Sequence, residues 1–175
     1  MLMNMSDSDS PLLVNLHGVL DSAWIEHIKT LPFQEDTYKS SSGRTIVPIN
    51  YKIIPAGPGK HKRERALIDH RIQKFLIKFL KLNPVVGLVL KYQPGGRISQ
   101  HRDGNGYGPK AFSVSSTDYF LGLRKDDGEQ AVYRVGANQV ISFPSKLVHW
   151  AWHETNEERL SIIGWTYNTW GFVKQ

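Results

Sequence analysis

The sequence predicts an α+β chain in which helical segments come first and a compact all-β half follows. Helical periodicity, with apolar residues three and four apart, is confined to the first half. From Val85 onward seven short runs rich in β-branched and aromatic residues follow one another, broken by Gly, Pro, Asn or charge clusters. The chain has 175 residues, 40% apolar and 11% aromatic, which suits one domain with one core. Seven strands in the last half of such a chain argue for an antiparallel sandwich or barrel.

The opening "MLMNMSDSDS" is polar and acidic after its methionines and lacks the charged and apolar regions of a signal peptide. It reads as a flexible leader over 1–10, ahead of a single domain over 11–175 whose β core spans about 85–170. Without a signal peptide the expected location is intracellular, in the cytoplasm, and no apolar run is long enough to span a bilayer. Residues 11–17 look like a short strand. "LDSAWIEHIKTL" reads as a helix with Asp21 or Ser22 as N-cap, running to about Thr30 before Pro32. Residues 33–64 are expected to be irregular, with one short strand at 45–54.

The clearest helical pattern covers roughly 64–82. Ile68, Ile72, Phe75, Leu76, Phe79 and Leu80 form an apolar stripe, and Arg71, Lys74, Lys78 and Lys81 lie opposite it. This is the pattern of a supporting helix with a solvated basic face. The strands that follow are "VVGLVLKY", "RISQHRD", "FSVSSTDYFLGL", "EQAVYRV", "NQVISFP", "LVHWAWHE" and "RLSIIGWTY".

Cysteine is absent, which excludes disulfides, iron–sulfur clusters, zinc–thiolate sites and thiol nucleophiles together. A metal in this chain must be held by His, Asp, Glu or water. The net charge of +6 suits a nucleic-acid or other acidic partner, and equally suits ordinary solubility.

In "RISQHRDGNGYG", His101 and Asp103 are two apart and so share one face of a strand, while Arg102 points away. Such a pair at a strand end can share one metal ion. No other of the seven histidines has an acid two residues on. The third ligand must come from elsewhere. His149 and His153 are candidates, but four strand residues span roughly 13 Å, too far for both to reach one ion. Two histidines and one carboxylate with open positions form the donor set of non-haem Fe(II) oxygenases. Ten residues beyond His149, Arg159 and Ser161 share a face of the last strand. A guanidinium and a hydroxyl aimed into a barrel make a carboxylate receptor, because a buried Arg needs an anion to offset its desolvation. A dicarboxylate cosubstrate would supply one.

The ordered set Tyr92-x-x-Gly95, His101-x-Asp103, Gly128-Glu129, Phe143-Pro144-Ser145, His149, Arg159-x-Ser161 and Gly164-Trp165 resembles the Fe(II)- and 2-oxoglutarate-dependent dioxygenases of the double-stranded β-helix (jelly-roll) fold. The match spans roughly residues 85–168. It implies iron held by His101, Asp103 and His149, with His153 outside the site. It implies 2-oxoglutarate held by Arg159, Ser161 and Tyr92. It also implies O2 as co-reactant, with ascorbate as a candidate accessory reductant. The tryptophans Trp150, Trp152, Trp165 and Trp170 read as core and edge packing.

Two branches of that family compete for the chain. "KYQPGGRISQHRDGN" is similar to the corresponding stretch of AlkB-type nucleic-acid demethylases. That pattern, however, has Asn two before the Tyr, where this chain has Leu90, and a second Arg where it has Trp165. The spacing from His149 to Arg159 and the Gly164-Trp165 pair resemble the prolyl-hydroxylase-like branch. The resemblance therefore implies C–H hydroxylation of a peptide or protein substrate, with nucleic acid as the alternative substrate. A non-catalytic, cupin-like metal-binding module is the reading from outside enzymology. Residues 104–111 and 36–62 are expected to form a mobile rim that selects substrate. Substrate identity and oligomeric state have no motif.

Overall fold

Alternation of side chains sets the architecture of the C-terminal half, and β12 (Arg159–Tyr167) shows how. Its even positions Leu160 and Ile162 enter one apolar cluster, and its odd positions Ile163 and Trp165 enter another. A strand whose two faces both find apolar partners is central in its sheet, and β12 pairs on both edges. Gly164 keeps the first cluster closed, because a Cβ there would lie 2.1 Å from the Phe112 ring.

The computed structural model describes residues 15–19, 23–36, 38–49, 51–55, 57–58, 61–65, 69–72, 74, 85–104 and 107–167. In chain order the other elements are β1 (Asn15–Val19), α1 (Ala23–Lys29), β2 (Gln34–Glu35), β3 (Ser41–Ile49), β4 (Tyr51–Pro55), β5 (His61–Arg65) and β6 (Val85–His101). Then come β7 (Tyr107–Ser115), β8 (Tyr119–Arg124), β9 (Gln130–Val135), β10 (Gln139–Pro144) and β11 (Val148–Trp152). A ten-stranded antiparallel sheet follows the order β1-β10-β7-β12-β6-β11-β8-β9, with β3 added on β6 and β2 on β3. It curls into a nearly closed barrel, the double-stranded β-helix or jelly-roll. β4 and β5 form a separate hairpin.

Two layers fill the fold. Trp24 and Ile28 of α1 pack with Val47, Val89, Phe112, Val114, Leu160 and Ile162 on the outer face of the sheet. Burying side chains of this size stabilises by about 1.5–3 kcal/mol each. Inside the barrel Ala111, Leu121, Leu123, Tyr133, Ile141, Phe143 and Trp165 form the second cluster, and Ile46, Leu90 and Tyr92 a third.

Several expectations need correction. The 33–64 region is mostly strand, because β3 finds a partner in β6 along its whole length, and pairing outweighs weak local propensity. Of the segments expected to form a mobile rim, 41–49 and 107–111 are strand within the main sheet, β3 pairing with β6 and β7 with β10 and β12. Residues 61–65 are strand, so the helix expected from 64 starts later. A helical turn occupies 70–72, and Asp69 caps it by accepting from the Ile72 amide at 2.9 Å. The rest of that stripe, with Lys78 and Lys81, lies outside the described residues, as do the leader, residues 11–14, Asp21, Ser22 and Trp170. The two runs read as separate strands over 85–103 form one, β6, whose pairing with β3 is irregular around Pro94. "FSVSSTDYFLGL" instead divides into β7 and β8.

Candidate metal centre

Strand pairing assembles the three expected ligands. His101 ends β6 and lies directly across from His149 on β11, so their rings face each other with centroids 4.2 Å apart. Asp103 follows two residues after His101, and its Oδ1 lies 3.8 Å from His101 Nε2 and 3.6 Å from His149 Nε2. The three donor atoms all lie within 4.8 Å of one another.

Each candidate ligand is oriented from behind. His101 Nδ1 lies 2.8 Å from the Ser99 carbonyl, and His149 Nδ1 lies 2.9 Å from the Leu147 carbonyl. A carbonyl can only accept, so Nδ1 carries the proton in both rings and Nε2 presents a lone pair to the centre. Trp165 donates its indole N–H to Asp103 Oδ2, leaving Oδ1 for the two rings. Burial, with the His149 ring adding to it, lowers the His101 pKa to about 4, so the imidazole is neutral at pH 7.

The donor set fits a divalent metal on an independent observation. His149 Nε2 is buried and has no hydrogen-bond partner, which is costly unless an electrophile occupies the space it faces.

A second group of polar atoms lies on the same inward face. Arg159, Ser161, Ile163 and Trp165 form the odd row of β12, with Trp165 reaching Asp103 at one end and Arg159 standing at the other. Arg159 is only 2% exposed. It is cross-strand from Tyr92, and its guanidinium carbon sits 4.0 Å from the centroid of the Tyr92 ring and 5.0 Å from that of Tyr119. Arg159 Nε, Ser161 Oγ and the Tyr119 hydroxyl are all buried without a hydrogen-bond partner. Among the described residues no carboxylate pairs with Arg159; burial lowers its pKa, and the nearby tyrosines offset this in part. Glu158 instead lies 4.0 Å from Lys91. An unpaired guanidinium N–H with two unpaired hydroxyls beside it fits a carboxylate.

His153 stays apart from the ligands: its Nδ1 meets Thr155 Oγ1 at 2.9 Å and its Nε2 the Gln93 carbonyl at 3.1 Å. Arg102 points out of the site to Asp126 and to the Lys146 carbonyl. Tyr92 is more than barrel filling, since its hydroxyl accepts from Arg44 at 3.0 Å while Arg44 pairs with Asp36.

The sequence reading missed three contributors. Tyr119 had an available signal, because it is inward by parity on β8. Trp165 was read as packing, and nothing local marks its donor role. Arg44 lies 48 residues from Tyr92 and gave no signal. Trp150 and Trp152 were also read as core and edge packing; they lie on the outer face of β11, outside all three core clusters.

No protein-family model matches the chain, and no curated protein matches it by sequence. Solved structures do match its fold. OsALKBH1 aligns with a TM-score of 0.63 at 12% identity, covering 89% of this chain and 97% of that one. A Pseudomonas putida prolyl-4-hydroxylase aligns with a TM-score of 0.60 at 16% identity, covering 92% and 95%. A Bacillus subtilis oxalate decarboxylase aligns over 81% of this chain but 30% of its own, with a TM-score of 0.50 at 10% identity. At these identities the likeness establishes the fold, which is the double-stranded β-helix that the motif order implied.

Proposed function

We propose that the protein is a non-haem Fe(II)- and 2-oxoglutarate-dependent oxygenase that hydroxylates a C–H bond, with decarboxylation of 2-oxoglutarate to succinate. One observation carries the reading. The same barrel face holds a His–Asp–His set and a buried arginine that no carboxylate among the described residues pairs. A metal site alone has no use for that arginine, whereas a metal-chelating dicarboxylate needs both.

His101 and His149 would each give iron an Nε2 lone pair, and Asp103 would give Oδ1. Trp165 holds that carboxylate in place through the other oxygen. Arg159, with the hydroxyls of Ser161 and Tyr119, would take the far carboxylate of 2-oxoglutarate. Tyr92 accepts from Arg44, so its own hydroxyl proton is free to donate to the cosubstrate. Iron bound here would supply the O2-dependent redox chemistry.

The substrate we favour is a peptidyl, prolyl-type residue. The Arg159 spacing and the presence of Trp165 in place of a second arginine support it. Oxidative demethylation of nucleic acid is the second reading, supported by the net charge of +6.

The test is an anaerobic titration of the apo-protein with Fe(II), then 2-oxoglutarate, following the visible charge-transfer band of the chelate. Wild type should develop the band, H149A should lose it, and R159A should need far more 2-oxoglutarate while still binding Fe(II). A folded wild type without the band would overturn the oxygenase reading in favour of a metal-binding module.

A further inference from the structure

The outer surface of the sheet, on the far side of β11 from His149, carries an ordered set of side chains that the proposed chemistry does not use. Direct cross-strand neighbours share a face. Arg97 of β6 is opposite Trp152 of β11, Trp152 is opposite Phe120 of β8, and Phe120 is opposite Arg134 of β9. The result is one straight row across four strands, arginine–tryptophan–phenylalanine–arginine. At the usual inter-strand spacing it spans about 14 Å.

The next outward row places Trp150 over Gly122, its direct cross-strand neighbour. A Cβ at Gly122 would lie 2.0 Å from the indole, so the glycine is what lets the ring lie against the sheet. Arg124 is the next outward residue on β8. The Phe120 and Trp152 rings are stacked, with an interplanar angle of 18° and centroids 5.0 Å apart. None of the three aromatics belongs to a core cluster, and all three are part-exposed.

Two of the three arginines on this face are without an acidic partner among the described residues. Arg134 pairs with Asp118 at 2.7 Å. Among the described residues no carboxylate pairs with Arg97 or Arg124. Flat rings flanked by cations suit a ligand that alternates planar rings with negative charge, which is a single-stranded nucleic acid. A duplex keeps its bases stacked inside and offers no ring to such a surface.

We propose that this face, built on Trp152, Phe120, Trp150, Arg97 and Arg124, binds single-stranded nucleic acid by base stacking and arginine–phosphate contacts. The surface is separate from the barrel interior. It would hold a strand whether or not the metal centre acts on that strand.

The experiment is fluorescence anisotropy of a labelled 20-nucleotide oligo-dT with full-length protein over a range of salt. Wild type should bind, with affinity falling as salt rises. W152A should weaken binding about fivefold to a hundredfold. The double variant R97E/R124E, which keeps all three aromatic rings, should weaken binding and reduce the salt slope by about 1.4, the value for two single-strand phosphates. Melting curves and the Fe(II)/2-oxoglutarate band, recorded on each variant, separate this outcome from misfolding and from failure of the oxygenase reading. Three results would each overturn the proposal: no binding by folded wild type, equal binding by all variants, or displacement of the oligonucleotide by poly-glutamate of equal charge. Wild-type self-association lost in W152A, with no oligonucleotide binding, would assign the face to a second copy of this chain instead.

Discussion

The Trp165 indole donates to Asp103 Oδ2 across 62 residues of sequence, and this fixes which carboxylate oxygen faces His101 and His149. W165F removes the donor and keeps most of the ring's packing against Tyr107. Metal affinity should fall about 10–100-fold while the fold is retained. Calorimetric titration with Mn(II) checks this, with H153A as a control that should bind like wild type. Unchanged Mn(II) affinity in W165F would remove the positioning role.

Arg159 should cost the apo-protein stability, because it is desolvated and no carboxylate among the described residues compensates it. R159M should therefore raise the apo melting temperature, by roughly 1–3 kcal/mol of stability or several degrees. Wild type should be stabilised further by metal with 2-oxoglutarate, and R159M by metal alone. A lower apo melting temperature for R159M would show that the tyrosine rings already satisfy the cation.

Arg44 and Asp36 are each about 5% exposed at the side chain and pair with each other. Removing one partner leaves a buried charge, so R44M should destabilise by about 3–5 kcal/mol. The double variant D36N/R44M should recover much of that loss. Chemical denaturation of the four proteins forms the cycle, and strict additivity would mean the pair is not coupled.

His153 gives a pH dependence with a definite sign. Burial, opposed in part by the Gln93 carbonyl, holds its pKa below the ordinary value of 6.5. The unfolded chain then binds more protons between the two values. The stabilisation is complete above about pH 6.5 and is lost as pH falls toward the folded pKa, at no more than about 1.4 kcal/mol per unit. H153Q should be flatter than wild type in stability between pH 5 and 7. Parallel profiles would place the acid sensitivity elsewhere.

The sheet and its site were legible to different depths. The short β-branched and aromatic runs located β6 to β12, and parity placed His101, Asp103, Arg159 and Ser161 on shared faces, because side-chain direction in a strand depends only on counting by two. Which histidine pairs with His101 was not countable. It depends on the β6–β11 register, a long-range property, and it came from the family resemblance. Arg44 and Trp165 act through contacts 48 and 62 residues away, which no local pattern records. Over 34–65 the expected strand at 45–54 is present within β3 and β4, and the rest went unforeseen for a related reason: β3 extends as strand because β6 offers it an edge.

Strand β12 carries on its odd residues the groups proposed to bind the cosubstrate and to orient Asp103, and core groups on its even ones. Inserting or deleting one residue within it would exchange the two faces, putting Arg159 and Ser161 under the helix and Leu160 and Ile162 into the pocket. Fold and chemistry would fail in one event, with no intermediate that keeps either. Change in length is tolerable only where no such double reading exists, in the connections between strands, so divergence in what the barrel accepts has room there and almost none in β12.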